Sequence, residues 1–369
     1  MKFPETTGKD LSSPNGWTPA EERRAAAADG AGRGNIPAGP EGEQQGQWPQ
    51  APKEPPAGAQ EAGPGRGALD AFRLAAALLV VAIHTSPLAG RSPAADFFLT
   101  RVLGRTAVPF FFMVTGRFAL SGPEAARRFC RKTLLLYGAA SALYLPLAWY
   151  AGRFQGLDLG GALKLLVWDG IYYHLWYLPA CLMGMGVAWA LRGLPKGAGL
   201  AAASVLYLLG LLGDAYWGLT EQIPWLEQGY QLGFRVFTYT RNGLFMAPLF
   251  LLLGRALGDG RRLPGQSACL AGALAGLAAM AGEAFALKAA GFMRHDSMYL
   301  ALPWTCGCLF AWLWQIPAPP RPALRRLCGW VYLLHPALIA AVRLAAKGLG
   351  LVPLLVEDNL IHALAVALL

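Results

Sequence analysis

Residues 68–88 read ALDAFRLAAALLVVAIHTSPL, an apolar run of membrane-spanning length carrying Asp70 and Arg73 near its start and His84 near its end. About 20 apolar residues at 1.5 Å rise cross the hydrocarbon core of a bilayer. The run therefore reads as a transmembrane helix with ionisable groups at both ends. Working outward, similar runs cover 97–120, 133–151, 173–191, 198–213, 243–258, 268–290, 298–315, 328–346 and 352–369. The expectation is an all-α, polytopic integral membrane bundle of about ten transmembrane helices. Composition agrees: hydrophobic residues make up 55% of the chain and charged residues 15%, against about 25% charged in soluble domains.

Upstream the chain changes character. Residues 1–66 are rich in Pro, Gly, Ala and Gln and hold almost no large aliphatics. Such a segment buries too little apolar surface to offset chain entropy, so a disordered cytoplasmic segment is expected over 1–66 and a transmembrane domain over 67–369. It has no apolar stretch of the kind a secretory signal needs.

The charges suggest an orientation. Residues 67–369 hold 25 of the 32 basic and 13 of the 22 acidic side chains, a net of +12. These basic residues sit in short loops, which argues for topology rather than nucleic-acid binding. Arg127, Arg128, Arg131 and Lys132 follow the second span, Arg192 and Lys196 the fourth, Arg255, Arg261 and Arg262 the sixth, and Arg321, Arg325 and Arg326 the eighth. Ten spans put all four loops on one side, which the positive-inside rule makes cytoplasmic together with both termini. Cys130, Cys181, Cys269, Cys306, Cys308 and Cys328 lie in or beside apolar runs without metal-ligand spacing, and read as small buried hydrophobes. No metal is expected.

Ionisable groups inside spans are costly and often mark function. Arg73 and His84 are eleven residues apart, three helical turns and about 16 Å; Asp70 can neutralise Arg73 at i,i+3. Two readings stay open: a functional pair, or a snorkelling arginine and an interfacial histidine. Arg128 and Arg131, at i,i+3 where the third span begins, present adjacent guanidinium forks suited to phosphate; an ordinary positive-inside cluster is the plainer reading. His174, Trp176 and Tyr177 open the fourth span, where an aromatic belt is the plainer reading. Arg241 and Asn242 head the sixth span. His335 precedes Pro336 well inside the ninth, a polar break in a helix. Glu283 is an intramembrane carboxylate that needs a partner or a proton.

Arg73 with His84, the Arg128-x-x-Arg131 pair, the run Pro109-Phe110-Phe111-Phe112-Met113-Val114-Thr115-Gly116 and Tyr332-x-x-His335-Pro336 together resemble the acyltransferase-3 family of bacterial membrane acyltransferases. The resemblance covers about 67–369. It implies a multi-pass protein of the bacterial plasma membrane, with acyl-CoA (acetyl-CoA by expectation) as cytoplasmic donor and a hydroxyl on an envelope glycan or small molecule as acceptor. It further implies Arg128 and Arg131 on the CoA phosphates, His84 as general base, Arg73 orienting the donor or stabilising the oxyanion, and Asp70 holding Arg73. His174, Trp176, Tyr177, Arg241, Asn242 and His335 are the substrate-binding candidates. Within the family, Gly213-Asp214-Ala215-Tyr216-Trp217-Gly218, Tyr239-Thr240-Arg241-Asn242-Gly243-Leu244-Phe245 and Glu357-Asp358-Asn359-Leu360-Ile361-His362 look like the membrane half of vancomycin-resistance membrane serine racemases. That likeness implies an alternative: uptake of L-serine, with Arg73, His84 and Arg241 on a zwitterion and Asp214 or Glu283 on its ammonium or in a proton relay. The racemase would then be a separate partner, with no pyridoxal phosphate in this chain.

Overall fold

The computed structural model describes residues 66–195, 197–258 and 263–369. The expected disorder of residues 1–65 lies outside them, as do Lys196, Arg261 and Arg262. The described residues are helical without strands. Arg66, placed by expectation at the end of the disordered segment, instead opens the first helix.

Five helices are long and apolar enough to cross a membrane: α1 (Arg66–Thr85), α2 (Pro93–Ala119), α3 (Pro123–Tyr150), α9 (Gln266–Ala289) and α11 (Pro322–Leu349). Shorter apolar helices occupy the places of the other five expected spans: α5 (Tyr177–Leu191), α6 (Ala198–Leu212), α8 (Ala247–Gly258), α10 (Leu302–Trp314) and α12 (Asn359–Leu368). Two amphipathic pieces lie in the loops: α4 (Leu159–Lys164), prolonged by a π turn to Asp169, and α7 (Pro224–Val236).

Local chemistry sets several boundaries. Helix α1 stops because Ser86 takes the left-handed region at φ +46° and Pro87 cannot continue the ladder. Helices α3 and α11 begin with Pro123 and Pro322, where the missing N–H costs nothing. Helix α2 is composite: an α turn, a π stretch over Phe98–Val102, a 3-10 stretch over Leu103–Thr106, then regular helix from Ala107. Pro109 removes the donor that would meet the Arg105 carbonyl, and the irregular stretch sits where that bond is lost.

The tightest packing is α2 on α8. A methyl group added at Gly116 would lie 1.9 Å from the Leu251 carbonyl oxygen, and one at Gly254 would lie 1.9 Å from the Met113 oxygen. Small residues let the two backbones touch, the usual way helices associate where lipid is as apolar as leucine. Around this seam Phe110, Phe112, Met113, Phe250, Tyr207, Tyr299 and Phe310 are fully buried. Exposed Leu134, Leu135, Leu143 and Leu145 on α3, with Leu344 and Leu349 on α11, form an apolar outer surface of the kind a bilayer solvates.

Candidate active site

Pro336 breaks α11 and organises the site. Its ring leaves the Tyr332 carbonyl without a helical donor. The His335 Nδ1–H fills that gap, bonding the Tyr332 oxygen at 2.9 Å and the Val331 oxygen at 3.0 Å. Carbonyls only accept, so Nδ1 carries the proton and Nε2 keeps the lone pair. One turn on, the Tyr144 hydroxyl enters the same ladder, donating to the Leu333 oxygen at 2.5 Å and accepting from the Ala337 N–H at 3.3 Å.

The His335 ring stacks on His84 with centroids 5.3 Å apart, and His174 meets His335 edge-on at 5.4 Å. Three imidazoles from α1, α11 and the loop before α5 are thus gathered, with Tyr173 4.8 Å from His84 and Tyr144 4.6 Å from His174. The His174 loop starts at Gly170, whose φ of +75° and contact with the Trp176 backbone suit only glycine. Tyr332 holds the loop from α11, donating to the His174 carbonyl at 3.2 Å. His174 is 3% exposed, and among the described residues neither of its ring nitrogens has a hydrogen-bond partner; the same holds for Nε2 of His335. No group of three His, Cys, Asp or Glu side chains among the described residues is placed to hold a metal ion.

His84 and His174 line a cavity of about 60 Å³, together with Arg105, Trp176, Tyr177, Arg241, Ser297 and Tyr332. That is room for ordered water or a small polar molecule. Arg105 comes from the irregular stretch of α2 and pairs with Asp296, which Arg101 also reaches at 3.4 Å. Asp214 fixes this loop: it is fully buried, its Oδ1 accepts the Ser297 and Met298 N–H groups at 2.7 and 2.9 Å, and its Oδ2 lies 3.5 Å from His295 Nδ1. Burial alone would raise the Asp296 pKa, but Arg105, His295 and Arg101 more than reverse this and hold it well below the usual carboxylate range. Arg241 stacks over Trp176 and Tyr239, 4.9 and 4.6 Å from the ring centres.

The other expected site residues lie elsewhere. Asp70 is buried and bonds Arg73; it also accepts the Arg321 N–H at 3.0 Å and meets Arg325 at 3.5 Å, tying α1 to the first turn of α11. That joint sits at the opposite end of α1 from His84, and neither residue lines the cavity. Arg128 and Arg131 are exposed in the first turns of α3. Sixteen residues of helix, about 24 Å, separate Arg128 from Tyr144 beside His174. Asn242 caps the chain entering α8: its Oδ1 accepts the Leu244 and Phe245 N–H groups and its Nδ2 donates to the Tyr239 oxygen. Glu283 is saturated by the Leu300 and Ala301 N–H groups and the Tyr216 hydroxyl, a cap on α10 rather than a group aimed at the cavity. The sequence reading passes over Arg105 and Ser297. Arg105 had a signal, an ionisable residue inside an apolar run; Ser297 had none, because only the Asp214 staple brings it here.

A buried histidine cluster facing a small cavity inside a bundle of apolar helices defines a membrane protein with the equipment for proton transfer. The chain matches the acyltransferase-3 domain family, described as an acyltransferase domain, over residues 66–369. It belongs to that family of multi-pass membrane proteins. Among curated proteins it is similar to an amino-acid racemase of Enterococcus faecalis, 39% identical over 308 residues, covering 81% of this chain and 43% of the relative. A serine/alanine racemase of Enterococcus gallinarum is 36% identical over 326 residues, covering 82% and 44% respectively. The chain thus spans less than half the length of these relatives. No solved structure matches it.

Proposed function

We propose that this chain is a membrane acyltransferase that passes an acyl group from a cytoplasmic acyl-CoA to a hydroxyl group held in the His84 cavity. The observation that carries this reading is the pairing of His84 with His335, whose proton is fixed on Nδ1 by the Pro336 break. Imidazoles at a small cavity suit general-base chemistry at neutral pH. His84 takes the proton of the acceptor hydroxyl as its oxygen attacks the thioester carbonyl. The C–S bond then breaks, and CoA leaves as a thiolate that takes up a proton. Arg105, fixed by Asp296, faces the cavity as a donor to the developing oxyanion. Ten segments cross the bilayer of the bacterial plasma membrane in this reading, the short ones completed by loops buried in protein. Both termini are cytoplasmic, and exposed Arg128 and Arg131 take the CoA phosphates there. The cavity admits a small acceptor, or one hydroxymethyl arm of an envelope glycan.

The test is thiol release from acetyl-CoA by purified protein with a panel of hydroxylated acceptors. His84→Ala lowers turnover by about 10²–10⁴-fold while the protein stays monodisperse. Turnover unchanged in that variant rules out His84 as the base, and no transfer by wild type to any acceptor removes the reading.

A second reading is favoured by the small cavity and by relatives named as amino-acid and serine/alanine racemases: the domain binds and imports L-serine for a separate racemase. Uptake of labelled L-serine into proteoliposomes, lost in His84→Ala, supports it; uptake no greater than in empty vesicles opposes it.

A further inference from the structure

We propose that Arg241 forms a carboxylate subsite in the His84 cavity, so that the occupant is a small hydroxy-carboxylate with net negative charge rather than a zwitterion or an uncharged sugar. The proposal rests on the reading above only in placing the acceptor in this cavity.

Arg241 makes no ion pair with a carboxylate among the described residues, and its buried Nε has no hydrogen-bond partner. Its guanidinium is held instead by aromatic faces, Trp176 and Tyr239. Burial, with Arg105 nearby, lowers its pKa to about 10, so the group is still protonated at neutral pH. A half-buried cation with no ion-pair partner of its own gains from an anion, and a planar guanidinium is best matched by the two oxygens of a carboxylate.

The acids nearby act on Arg241 only from a distance, since each is engaged elsewhere. Asp296 is engaged by Arg105 and Arg101. Asp214 is engaged by two backbone N–H groups and His295. Glu283 caps α10. No Asp or Glu lines the cavity, so an ammonium group entering it meets arginines and no carboxylate. A zwitterion therefore gains at one end and is repelled at the other, whereas a net anion only gains.

The remaining polar groups complete the specification. His84 and His174 also line the cavity, and the two unpartnered ring nitrogens of His174 are ready to hydrogen-bond a hydroxyl. A carboxylate on Arg241 with a hydroxyl toward the imidazoles gives partners to Arg241 and His174 together.

Three probes differing only at the charged ends test this on the full chain in detergent: L-glycerate, L-serine and ethanolamine, titrated by calorimetry. Glycerate is serine with its ammonium replaced by a hydroxyl; ethanolamine lacks the carboxylate. The expected result is glycerate binding at least about tenfold tighter than L-serine, no ethanolamine binding, and loss of glycerate binding in Arg241→Gln with partial recovery in Arg241→Lys. L-serine binding as tightly as glycerate, ethanolamine binding, no glycerate binding to monodisperse wild type, or unchanged binding in Arg241→Gln overturns the proposal. If Arg241→Gln aggregates, the ranking of the probes on wild type decides. Thiol release from acetyl-CoA with glycerate, against glycerol, separates the two claims. Glycerate binding with no release from any acceptor of the panel removes the acyl-transfer reading and leaves the subsite; release with glycerol but no preference for glycerate removes the subsite and leaves acyl transfer.

Discussion

His335 shows how much a single residue does in this bundle. It repairs the carbonyl that Pro336 orphans, and in doing so it fixes its own tautomer and presents a lone pair at Nε2. The two roles separate by mutation. Asn at 335 carries an amide N–H where Nδ1 sits, so His335→Asn should keep the fold while losing the imidazole. His335→Ala leaves the Tyr332 oxygen unpaired in an apolar surround and should destabilise by about 1–3 kcal/mol. Thermal unfolding in detergent should rank wild type and Asn close together with Ala below, while both variants lose turnover; Ala as stable as wild type removes the repair role. Asp296 gives a prediction in pH. Its folded pKa is depressed, so its stabilisation is complete above the unfolded value near 3.9 and is lost only as pH falls below that, through the folded value. The Asp296 contribution should be flat between pH 5 and 8 and fall only below about pH 4, and Asp296→Asn should flatten that acid limb in a melting series from pH 2 to 7. Residue by residue, the sequence made the His-Pro break and the Asp70–Arg73 pair legible because both are local. It left Asn242 and Glu283 as site or relay candidates because their backbone partners are defined only by the fold.

At the level of helices, each of the ten expected apolar runs holds a helix, five of them long enough to cross a membrane and five shorter, because apolar runs need no tertiary knowledge to recognise; the start expected at 328 falls six residues inside α11 and that at 352 seven residues before α12. The misreadings were of form. The stretch 93–119 looks like one regular span, yet it carries π and 3-10 turns that bring both Arg101 and Arg105 to Asp296. That distortion is set by Pro109 and by the loop it meets, and the loop is remote in sequence. Helix α7 escaped notice because its period-3.6 pattern is short and interrupted by Gly229 and Gly233; it exposes Trp225, Leu232 and Val236 and is tied to α4 through Lys164, which donates to the Phe234 oxygen at 2.8 Å. The α2–α8 seam yields a test of packing. Gly254→Ala places a methyl against the Met113 backbone, where no side chain can swing away. The helices must separate, at a cost of about 1–3 kcal/mol, whereas Gly282→Ala, which meets nothing within 4 Å, should be neutral or mildly stabilising. Equal melting temperatures for the two variants would show that the seam is not close-packed.

Across the whole molecule, the polar machinery is divided between two ends. Arg128 and Arg131 stand exposed at the start of α3, while the imidazoles, Arg105 and Arg241 gather where α1 finishes, about 24 Å further along the helix direction. The sequence reading put the arginine pair at the cytoplasmic mouth of the third span and His84 near the outer end of the first; α3 runs from one end to the other and sets the distance between them. If the positive loops face the cytoplasm, the donor enters from that side and the acceptor cavity belongs to the opposite half of the bilayer. A sided assay follows. In proteoliposomes with the protein in one orientation, fixed by protease cleavage of an added tag, acetyl-CoA should support transfer only from the face bearing Arg128 and Arg131, and a membrane-impermeant acceptor only from the other. Replacing both arginines by Gln should raise the KM for acetyl-CoA severalfold and weaken its salt dependence, because exposed phosphate contacts are screened, while kcat changes little since neither guanidinium is near the imidazoles. Transfer with donor and acceptor on the same face, or a fall in kcat at unchanged KM, would mean that both substrates meet at one end and that the arginine pair has a different role.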